Sequence, residues 1–343
     1  MPQLAPPVAP MLAKQESKVP AGEGWRYEPK WDGFRAIVFR TDSRVDIRSR
    51  NDRPLNRYFP DLAAPLTQAL PQPTVVDGEI IIAGPRGLDF DALQLRLHPA
   101  ASRVSMLSEQ TAATFILFDL LALGDEDLRS LPLDERRRRL REVAVPNPHV
   151  ALTPQTDDAE EAAVWFTKYE GAGLDGLVAK RAEGTYRSGE RGWVKVKHLR
   201  TVDCVVGGYR VATGEEAIGS LLLGLYSDEG VLHYVGHTSS FSARERRELL
   251  AQLAPLVGGE SFGHGRTPGG PSRWSSGRES EWVAVTPSLT CEVSFDHLQG
   301  ERFRHAATFR RWRPDKSPAE CTYDQLTPPE AFALEDIVEF GTA

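Results

Sequence analysis

A lysine flanked by two carboxylates lies near the start of the chain, in the stretch YEPKWDGFRA at residues 27–36. If this stretch is a β-strand, alternate side chains point to one face, so Glu28, Lys30 and Asp32 project together. Gly33 follows them and would let another part of the molecule approach the backbone closely. A surface ladder of ion pairs is the usual outcome of such spacing. The alternative is a reactive lysine held among acidic groups.

Further carboxylates stand next to glycine in two later segments. The stretch DGE at 77–79 lies inside an apolar run, and DG at 175–176 begins another. Each carboxylate alone is compatible with a turn or a salt bridge. Carboxylate oxygens are also the hard ligands that Mg²⁺ and Mn²⁺ prefer. Grouped around one lysine, Asp32, Glu79 and Asp175 predict a divalent-metal site suited to phosphate chemistry.

Two cations and one aromatic residue extend this candidate site. Lys195 and Lys197 share one face of a strand candidate, an arrangement that suits phosphate oxygens. Phe118 precedes Asp119 in a mostly aliphatic strand candidate. It is compatible with plain core packing or with a platform on which a base stacks.

The elements that must position these residues change character near residue 200. A chain of 343 residues is long for one core, which favours two domains. The first part has strand candidates at 36–39, 75–82, 115–123, 176–180 and 193–197, and helix candidates at 61–70, 134–143 and 157–170. The second part has strand candidates at 203–211, 220–226 and 231–236, a helix at 242–256, and strands near 281–285 and 290–297.

This order of elements predicts an α+β domain at 1–200, with an extended N-terminal arm at 1–22, and a second domain at 201–343 with a C-terminal tail. Three strands, a helix and two strands are typical of a five-stranded β-barrel of the OB type. The Gly/Ser/Pro-rich stretch 258–280 is predicted to be a mobile loop.

Two helix predictions are specific enough to test. The run DERRRRLREV at 134–143 predicts a helix with Leu140 and Val143 facing inward and its arginines in solvent. Thr156 is the predicted N-cap of the helix at 157–170.

Charge and cysteine content narrow the setting. The net charge is −7, yet three stretches at 34–57, 186–200 and 301–316 are locally basic, which together favours a polyanion as partner. The three cysteines are far apart in sequence, as in proteins of the reducing cytoplasm. No signal peptide or membrane span is predicted.

Taken in chain order, these residues resemble the nucleotidyltransferase motifs of ATP-dependent DNA ligases. The matching segments are EPKWDG at 28–33 with Arg35, SR at 49–50, DGE at 77–79, FD at 118–119, DGLV at 175–178, KVK at 195–197 and RPDK at 313–316. The resemblance runs from about residue 20 to 326. It is nearest to small bacterial two-domain enzymes, the stand-alone ligase C type and the ligase module of ligase D. It implies an ATP-grasp-like nucleotidyltransferase domain followed by an OB-fold domain.

The resemblance also implies roles around the nucleotide. Lys30 would take AMP from ATP through a phosphoramidate bond, for which the lysine must be neutral. Glu28 would face the adenine edge, and Phe118 would stack on the ring. Glu79 would reach the ribose, and Arg50 would contact the nucleotide sugar or phosphate.

Other residues are implied to handle phosphate. Lys195 and Lys197 would neutralise the charge of the transferred phosphoryl group. Arg35 would contact the 5'-phosphate at the nick. The OB-domain signature, with Arg313, Asp315 and Lys316, would act only when that domain closes and orients pyrophosphate.

Asp175 departs from the family pattern, which usually has Glu at this position. The shorter side chain keeps a metal ligand and is expected to shift the position or the preference of the metal. Asp32 is expected to contribute both to catalysis and to metal binding.

The implied function is an ATP-dependent DNA ligase that seals 3'-OH/5'-phosphate nicks in duplex DNA through enzyme-lysyl-AMP and DNA-adenylate, with ATP and Mg²⁺ or Mn²⁺. We expect a monomer acting in repair, in the cytoplasm with the nucleoid, with other DNA-repair proteins as partners.

Three alternatives remain at this point. An RNA ligase or a GTP-dependent capping enzyme would share the two domains, and labelling by GTP would indicate the latter. An NAD-dependent ligase is disfavoured because the tetracysteine zinc site of that class is missing from the sequence. A non-catalytic DNA-end binding module is disfavoured because every expected reactive residue is present.

Overall fold

The computed structural model describes residues 4–85, 87–212, 214–263, 268, 281–326, 330–338 and 341. The chain divides into two compact units. Unit 1 comprises Met1–His198 and Pro329–Ala343, and unit 2 comprises Leu199–Pro328.

The C-terminal segment differs from its predicted place in the second domain. Leu334, Ile337 and Val338 are buried in the same apolar cluster as Trp165 and Tyr169 of unit 1. These side chains explain why the segment groups with unit 1, because burying them there removes apolar surface from water.

Unit 1 is an α+β structure with two sheets. Its strands are β1 (Leu12–Glu16), β2 (Trp25–Pro29), β3 (Phe34–Arg40), β4 (Val45–Ser49), β5 (Thr74–Gly84), β6 (Gly87–Leu88), β7 (Ala113–Leu123), β8 (Glu126–Asp127), β9 (Val150–Leu152), β10 (Gly176–Arg181) and β11 (Arg191–Lys197). Its α-helices are α1 (Ala63–Ala69), α2 (Phe90–Leu95), α3 (Ala101–Gln110), α4 (Leu133–Val143) and α5 (Ala159–Lys168).

The larger sheet has the strand order β4-β3-β5-β7-β8, with β6 beside β5 and β9 beside β7. The smaller sheet has the order β1-β11-β10-β2. Strand β1 lies in the predicted N-terminal arm and pairs in parallel with β11. The arm is therefore part of a sheet rather than only an extended segment.

Helix α4 contradicts the prediction that its arginines face solvent. Leu140 and Val143 are buried as expected, but Arg136 and Arg137 are buried as well. The Arg136 guanidinium donates to both carboxylate oxygens of Asp119 on β7, at 2.7 and 2.9 Å. A buried arginine is tolerated where a carboxylate pairs with it.

The N-cap of helix α5 is Asp158 rather than Thr156. The Asp158 side chain accepts a hydrogen bond from the Glu160 backbone N–H at 2.7 Å. The Thr156 hydroxyl accepts instead from the Asp158 backbone N–H. Both residue types can cap, and the helix begins two residues later than predicted.

Among its described residues, unit 2 contains a curled sheet and one α-helix. Its elements are β12 (Arg200–Val211), β13 (Ile218–Tyr226), β14 (Leu232–Thr238), α6 (Ala243–Leu253), β15 (Val283–Ala284), β16 (Thr290–Phe295), β17 (Leu298–Gln299), β18 (Arg302–Phe303) and β19 (Thr308–Trp312). The strand order is β14-β13-β12-β16-β19, with β15 beside β12 and a separate β17-β18 pair. A bridge between Thr238 and Ala307 brings the two edges of the sheet together.

The predicted order of three strands, a helix and two strands is present as β12 to β14, α6, and β15 and β16. Three further strands, β17 to β19, come after these elements in the chain. A capping box formed by Ser242 and Glu245 begins α6. Of the predicted loop 258–280, residues 264–267 and 269–280 lie outside the described residues. No helix within the described ranges is long and apolar enough to cross a membrane.

Candidate active site

A cavity of about 290 Å³ lies in unit 1 and is lined by residues from both sheets. The predicted site residues in its lining are Glu28, Lys30, Arg35, Arg50, Glu79, Phe118 and Lys195. The structure therefore brings most of the residues predicted for nucleotide contact to one place.

Lys30 is fixed in the cavity by its backbone and its side chain. Its N–H donates to the Gly176 carbonyl at 2.9 Å, and its own carbonyl accepts from the Asp175 N–H at 3.0 Å. The Nζ atom forms an ion pair with Asp175 Oδ2, an oxygen that also lies 3.0 Å from Lys197 Nζ. An amine is nucleophilic only when neutral, so attack by Lys30 requires that this ion pair be lost.

Two glycines allow the strands around Lys30 to approach closely. A Cβ atom on Gly33 would lie 2.2 Å from the Ile80 carbonyl oxygen. Gly176 has φ of 137°, and a Cβ there would lie 2.0 Å from the Val196 carbonyl oxygen. The predicted close approach at Gly33 is confirmed, and any side chain at either position would displace the neighbouring strand.

One end of the cavity combines a buried carboxylate with aromatic rings. Glu28 pairs with Lys180 and accepts a hydrogen bond from Gln155. Phe118 and Trp193 meet edge to face, with ring centroids 6.1 Å apart. Lys180, Gln155 and Trp193 were not selected from the sequence. The sequence did offer one indication for Lys180. It lies two residues after Val178 of the DGLV motif, so the two side chains share one face of the strand candidate.

Arg35 is held by a buried network. Its guanidinium donates to Asp77 at 3.0 and 2.6 Å, and the Tyr186 hydroxyl donates to Asp77 Oδ2 at 2.6 Å. Burial disfavours the charge on Arg35, but the Asp77 carboxylate outweighs it and raises the pKa of Arg35. The guanidinium also lies 5.4 Å from the Phe118 ring centroid and 4.8 Å from that of Trp193. Asp77 thus stabilises the cation beside the aromatic rings.

Glu79 and Lys195, which also line the cavity, have shifted pKa values. Removal from water raises the pKa of Glu79 to about 8, although Lys30 and Arg35 oppose that change. Burial, and then the positive charges of Lys30 and Lys197, lower the pKa of Lys195. Perturbed groups gathered in one cavity are typical of active sites.

Two of the three predicted metal ligands lie together. The carboxylate oxygens of Asp32 and Asp175 come within 4.8 Å of one another, close enough to share one cation. Glu79 lies on β5, where its charge couples to Asp32 and to Lys30. The acidic oxygens fit a hard divalent ion, with Asp32 and Asp175 as the better-placed pair.

The predicted C-terminal signature lies in unit 2 and forms its own ion-pair cluster. Arg313 donates to both oxygens of Asp203 at 2.9 and 3.0 Å and also pairs with Asp315. Lys316 Nζ lies 2.8 Å from Asp203 Oδ2. Asp203, which the sequence analysis did not select, fixes the two cations of the signature.

A cavity-lining lysine beside further cations, in an α+β unit followed in the chain by a curled OB-type sheet, is the arrangement typical of the class of covalent nucleotidyltransferases. Sequence comparison assigns the family within that class. Residues 4–197 match the ATP dependent DNA ligase domain, and residues 214–316 match the ATP dependent DNA ligase C terminal region. The chain belongs to the ATP-dependent DNA ligase family.

Individual relatives agree with this assignment. The chain is 49% identical to DNA ligase C of Mycobacterium tuberculosis strain H37Rv, covering 97% of each chain. It is 30% identical to the multifunctional non-homologous end joining DNA repair protein LigD of the same strain, covering 91% of this chain and 39% of that protein. A solved structure from a study of Lig E DNA ligases is 21% identical, covers 89% of this chain and 99% of that one, and has a TM-score of 0.57. That last similarity concerns the fold alone.

Proposed function

We propose that this chain seals 3'-OH/5'-phosphate nicks in duplex DNA in three steps. The neutral Lys30 Nζ attacks the α-phosphorus of ATP, the bond from that phosphorus to the bridging oxygen breaks and pyrophosphate leaves, and the nitrogen loses a proton to water to give lysyl-AMP. The AMP passes to the 5'-phosphate of the nick, and the 3'-OH then attacks that phosphate and releases AMP. The observation that carries the proposal is the placement of Lys30 in the cavity beside Lys195 and close to Lys197, in a chain of this family.

The proposed nucleotide contacts follow the lining of the cavity. Glu28 would read the adenine edge, and Phe118 would pack against the base. Glu79 would bind the ribose, and Arg50 the sugar or a phosphate. The cation at Lys195 would bind phosphate oxygens, as would Lys197 once it leaves Asp175. Arg35 remains our candidate for the 5'-phosphate at the nick.

Asp32 and Asp175 would hold Mg²⁺ or Mn²⁺, and Glu79 would join them as a ligand once the bound ion favours loss of its proton. A bound divalent ion would neutralise phosphate charge during phosphoryl transfer. Within the chain itself, the Asp175 carboxylate already offsets the charges of Lys30 and Lys197. Phosphates entering the cavity would compete with Asp175 for these two lysines.

Covalent labelling tests this function. The protein incubated with α-³²P-ATP and Mg²⁺ should keep the label in a denaturing gel, and Lys30→Ala should lose it entirely because no other group would take AMP. An unchanged circular dichroism spectrum would show that the variant is folded. Label on Lys30→Ala would overturn the assignment, and preferential labelling by GTP would favour a capping enzyme.

The biological setting is part of the proposal. LigD, named as an end-joining repair protein, is similar to 91% of the length of this chain, which supports a role in DNA repair. We propose a monomer that acts on chromosomal DNA in the cytoplasm, at the nucleoid, with other repair proteins as partners.

A further inference from the structure

A buried lysine lies behind the carboxylate proposed to read the base. Lys180 on β10 is only 1% exposed, and Glu28 is 3% exposed. Lys180 Nζ lies 2.6 Å from Glu28 Oε2. Gln155 Nε2 donates to the other oxygen, Glu28 Oε1, at 2.8 Å. Each oxygen of this carboxylate is therefore held by one donor from the protein.

The same lysine contacts the aromatic residues of the cavity. Its Nζ lies 4.7 Å from the Phe118 ring centroid and 4.3 Å from that of Trp193. It also lies 3.4 Å from the Phe118 carbonyl oxygen. Lys180 thus links the carboxylate to the two rings, and both Glu28 and Lys180 line the cavity.

The ion pair determines what Glu28 can offer to a ligand. A cation paired with a buried carboxylate favours its ionised form over its protonated form. Ionised, it only accepts hydrogen bonds, and its two oxygens together have about four acceptor positions, of which Lys180 and Gln155 use two. The remaining positions can accept from the 6-amino group of adenine. They repel the 6-carbonyl oxygen of hypoxanthine or guanine, whereas a protonated carboxyl group could donate to that oxygen.

We propose that Lys180, assisted by Gln155, is the positioning residue that keeps Glu28 an acceptor and so sets the preference for adenine over 6-oxopurine nucleotides. The inference rests on the proposed function, because it concerns the nucleotide transferred to Lys30. It assigns a specificity role to a side chain that does not itself react.

The test compares ATP with ITP, which carries a 6-carbonyl in place of the 6-amino group. The rate of covalent labelling at low nucleotide concentration is measured for the full-length wild-type, Lys180→Met and Lys180→Arg proteins with each α-³²P nucleotide. Lys180→Met should lower the ATP-over-ITP ratio by about tenfold, since charge-assisted hydrogen bonds are roughly twice as strong as neutral ones. Lys180→Arg retains a cation at this position, so its ATP-over-ITP ratio should stay close to that of the wild type.

A merely structural role for Lys180 predicts a different result. Labelling by ATP and ITP would fall by the same factor in Lys180→Met, and an unchanged ratio would overturn the inference. Should Lys180→Met fail to fold, Gln155→Leu removes the second donor from a partly exposed position. It should lower the ratio in the same direction by a smaller factor, and an unchanged ratio there would likewise overturn the inference.

A double-mutant cycle shows whether Lys180 acts through Glu28. Glu28→Gln removes the charge that Lys180 supports, so adding Lys180→Met to that background should change the ratio no further. If Lys180→Met lowers the ATP-over-ITP ratio in the Glu28→Gln background by the same factor as in the wild type, the inference is contradicted. Absence of label from ATP on the wild-type chain would overturn the proposed function itself, whereas a labelled wild type with an unaffected ratio overturns only the role of Lys180.

Discussion

At the scale of single residues, Asp175 is the point where the charges of the site meet. Its Oδ2 atom pairs with Lys30 and Lys197, and its carboxylate lies within 4.8 Å of an Asp32 oxygen. One carboxylate thus balances two cations that the proposed chemistry directs at phosphate. Binding of that carboxylate to a metal ion, or its displacement from the lysines by phosphate oxygens, would break the ion pair, and Lys30 must then lose its proton before it attacks.

Glu79 gives a pH dependence of stability. Its pKa is raised from 4.5 to about 8, so between these values the folded state binds more protons than the unfolded state. The free energy of unfolding therefore falls as pH rises through this window. The glutamine in the Glu79→Gln variant cannot ionise, so this variant should not show the loss of stability that the wild type shows as pH rises. The melting temperature of the variant minus that of the wild type should therefore increase between about pH 5 and about pH 8. The increase should be at least about 2–4 °C.

Differential scanning fluorimetry of both proteins over this range, at constant ionic strength, measures the effect. The gap between the two melting curves should widen with increasing pH. A constant gap, or one that narrows, would mean that the Glu79 carboxyl is already ionised at low pH in the folded chain.

At the scale of elements, strands could be predicted from apolar runs in the sequence. Contacts between residues far apart in the sequence could not be predicted in this way. Strands β5 and β7 were predicted because long apolar stretches signal buried strands. The burial of Arg136 depends on Asp119, which lies on another element, and periodicity carries no information about that pairing. The pairing of β1 with β11 likewise joins segments far apart in the chain.

The site residues likewise fall into those that sequence motifs predict and those that depend on contacts between distant segments. Residues in ordered motifs, such as Lys30 and Glu79, could be predicted to share a cavity. Lys180 and Gln155 could not, because their role appears only when β10 and the segment after β9 both meet Glu28. Trp193 was predicted as part of a strand, but its position beside Phe118 depends on how the two sheets face each other.

The buried ion pair of α4 gives a stability test. Arg136→Met leaves the Asp119 carboxylate buried without its partner and should cost about 3–5 kcal/mol in the free energy of unfolding, measured by urea denaturation. The matched control Arg138→Ala changes an exposed arginine of the same helix, paired with Glu135 and Glu142, and should change stability very little.

The double variant Asp119→Leu/Arg136→Met separates pairing from packing. It removes both charges and should recover much of the lost stability, since apolar groups can replace a buried ion pair. A double variant as unstable as Arg136→Met alone would show that the guanidinium contributes mainly through its contacts with the Leu131 and Gly184 carbonyls.

At the scale of the whole molecule, the proposed reaction divides its residues between two units. Lys30 and Lys197 belong to unit 1, and Lys316 belongs to unit 2, where Asp203 holds it. We assign Asp315 and Lys316 to the first step only, because pyrophosphate, their proposed target, has left once Lys30 carries AMP. Lys197 is assigned to all steps, since a phosphate remains at the site throughout.

This division is tested with two single variants and two substrates. Lys316→Ala should form little enzyme-AMP from ATP, at least about 100-fold less than wild type, the scale of losing one charge-stabilising group. It should nevertheless seal a nick that is already adenylated, because in the proposed reaction that step uses the 3'-OH and the groups of unit 1 and no longer involves pyrophosphate. Lys197→Ala, a matched loss of one lysine, should impair both assays. Equal loss on both substrates in Lys316→Ala would mean that the C-terminal signature acts in every step, and full activity of Lys197→Ala on the adenylated nick would remove its role in sealing.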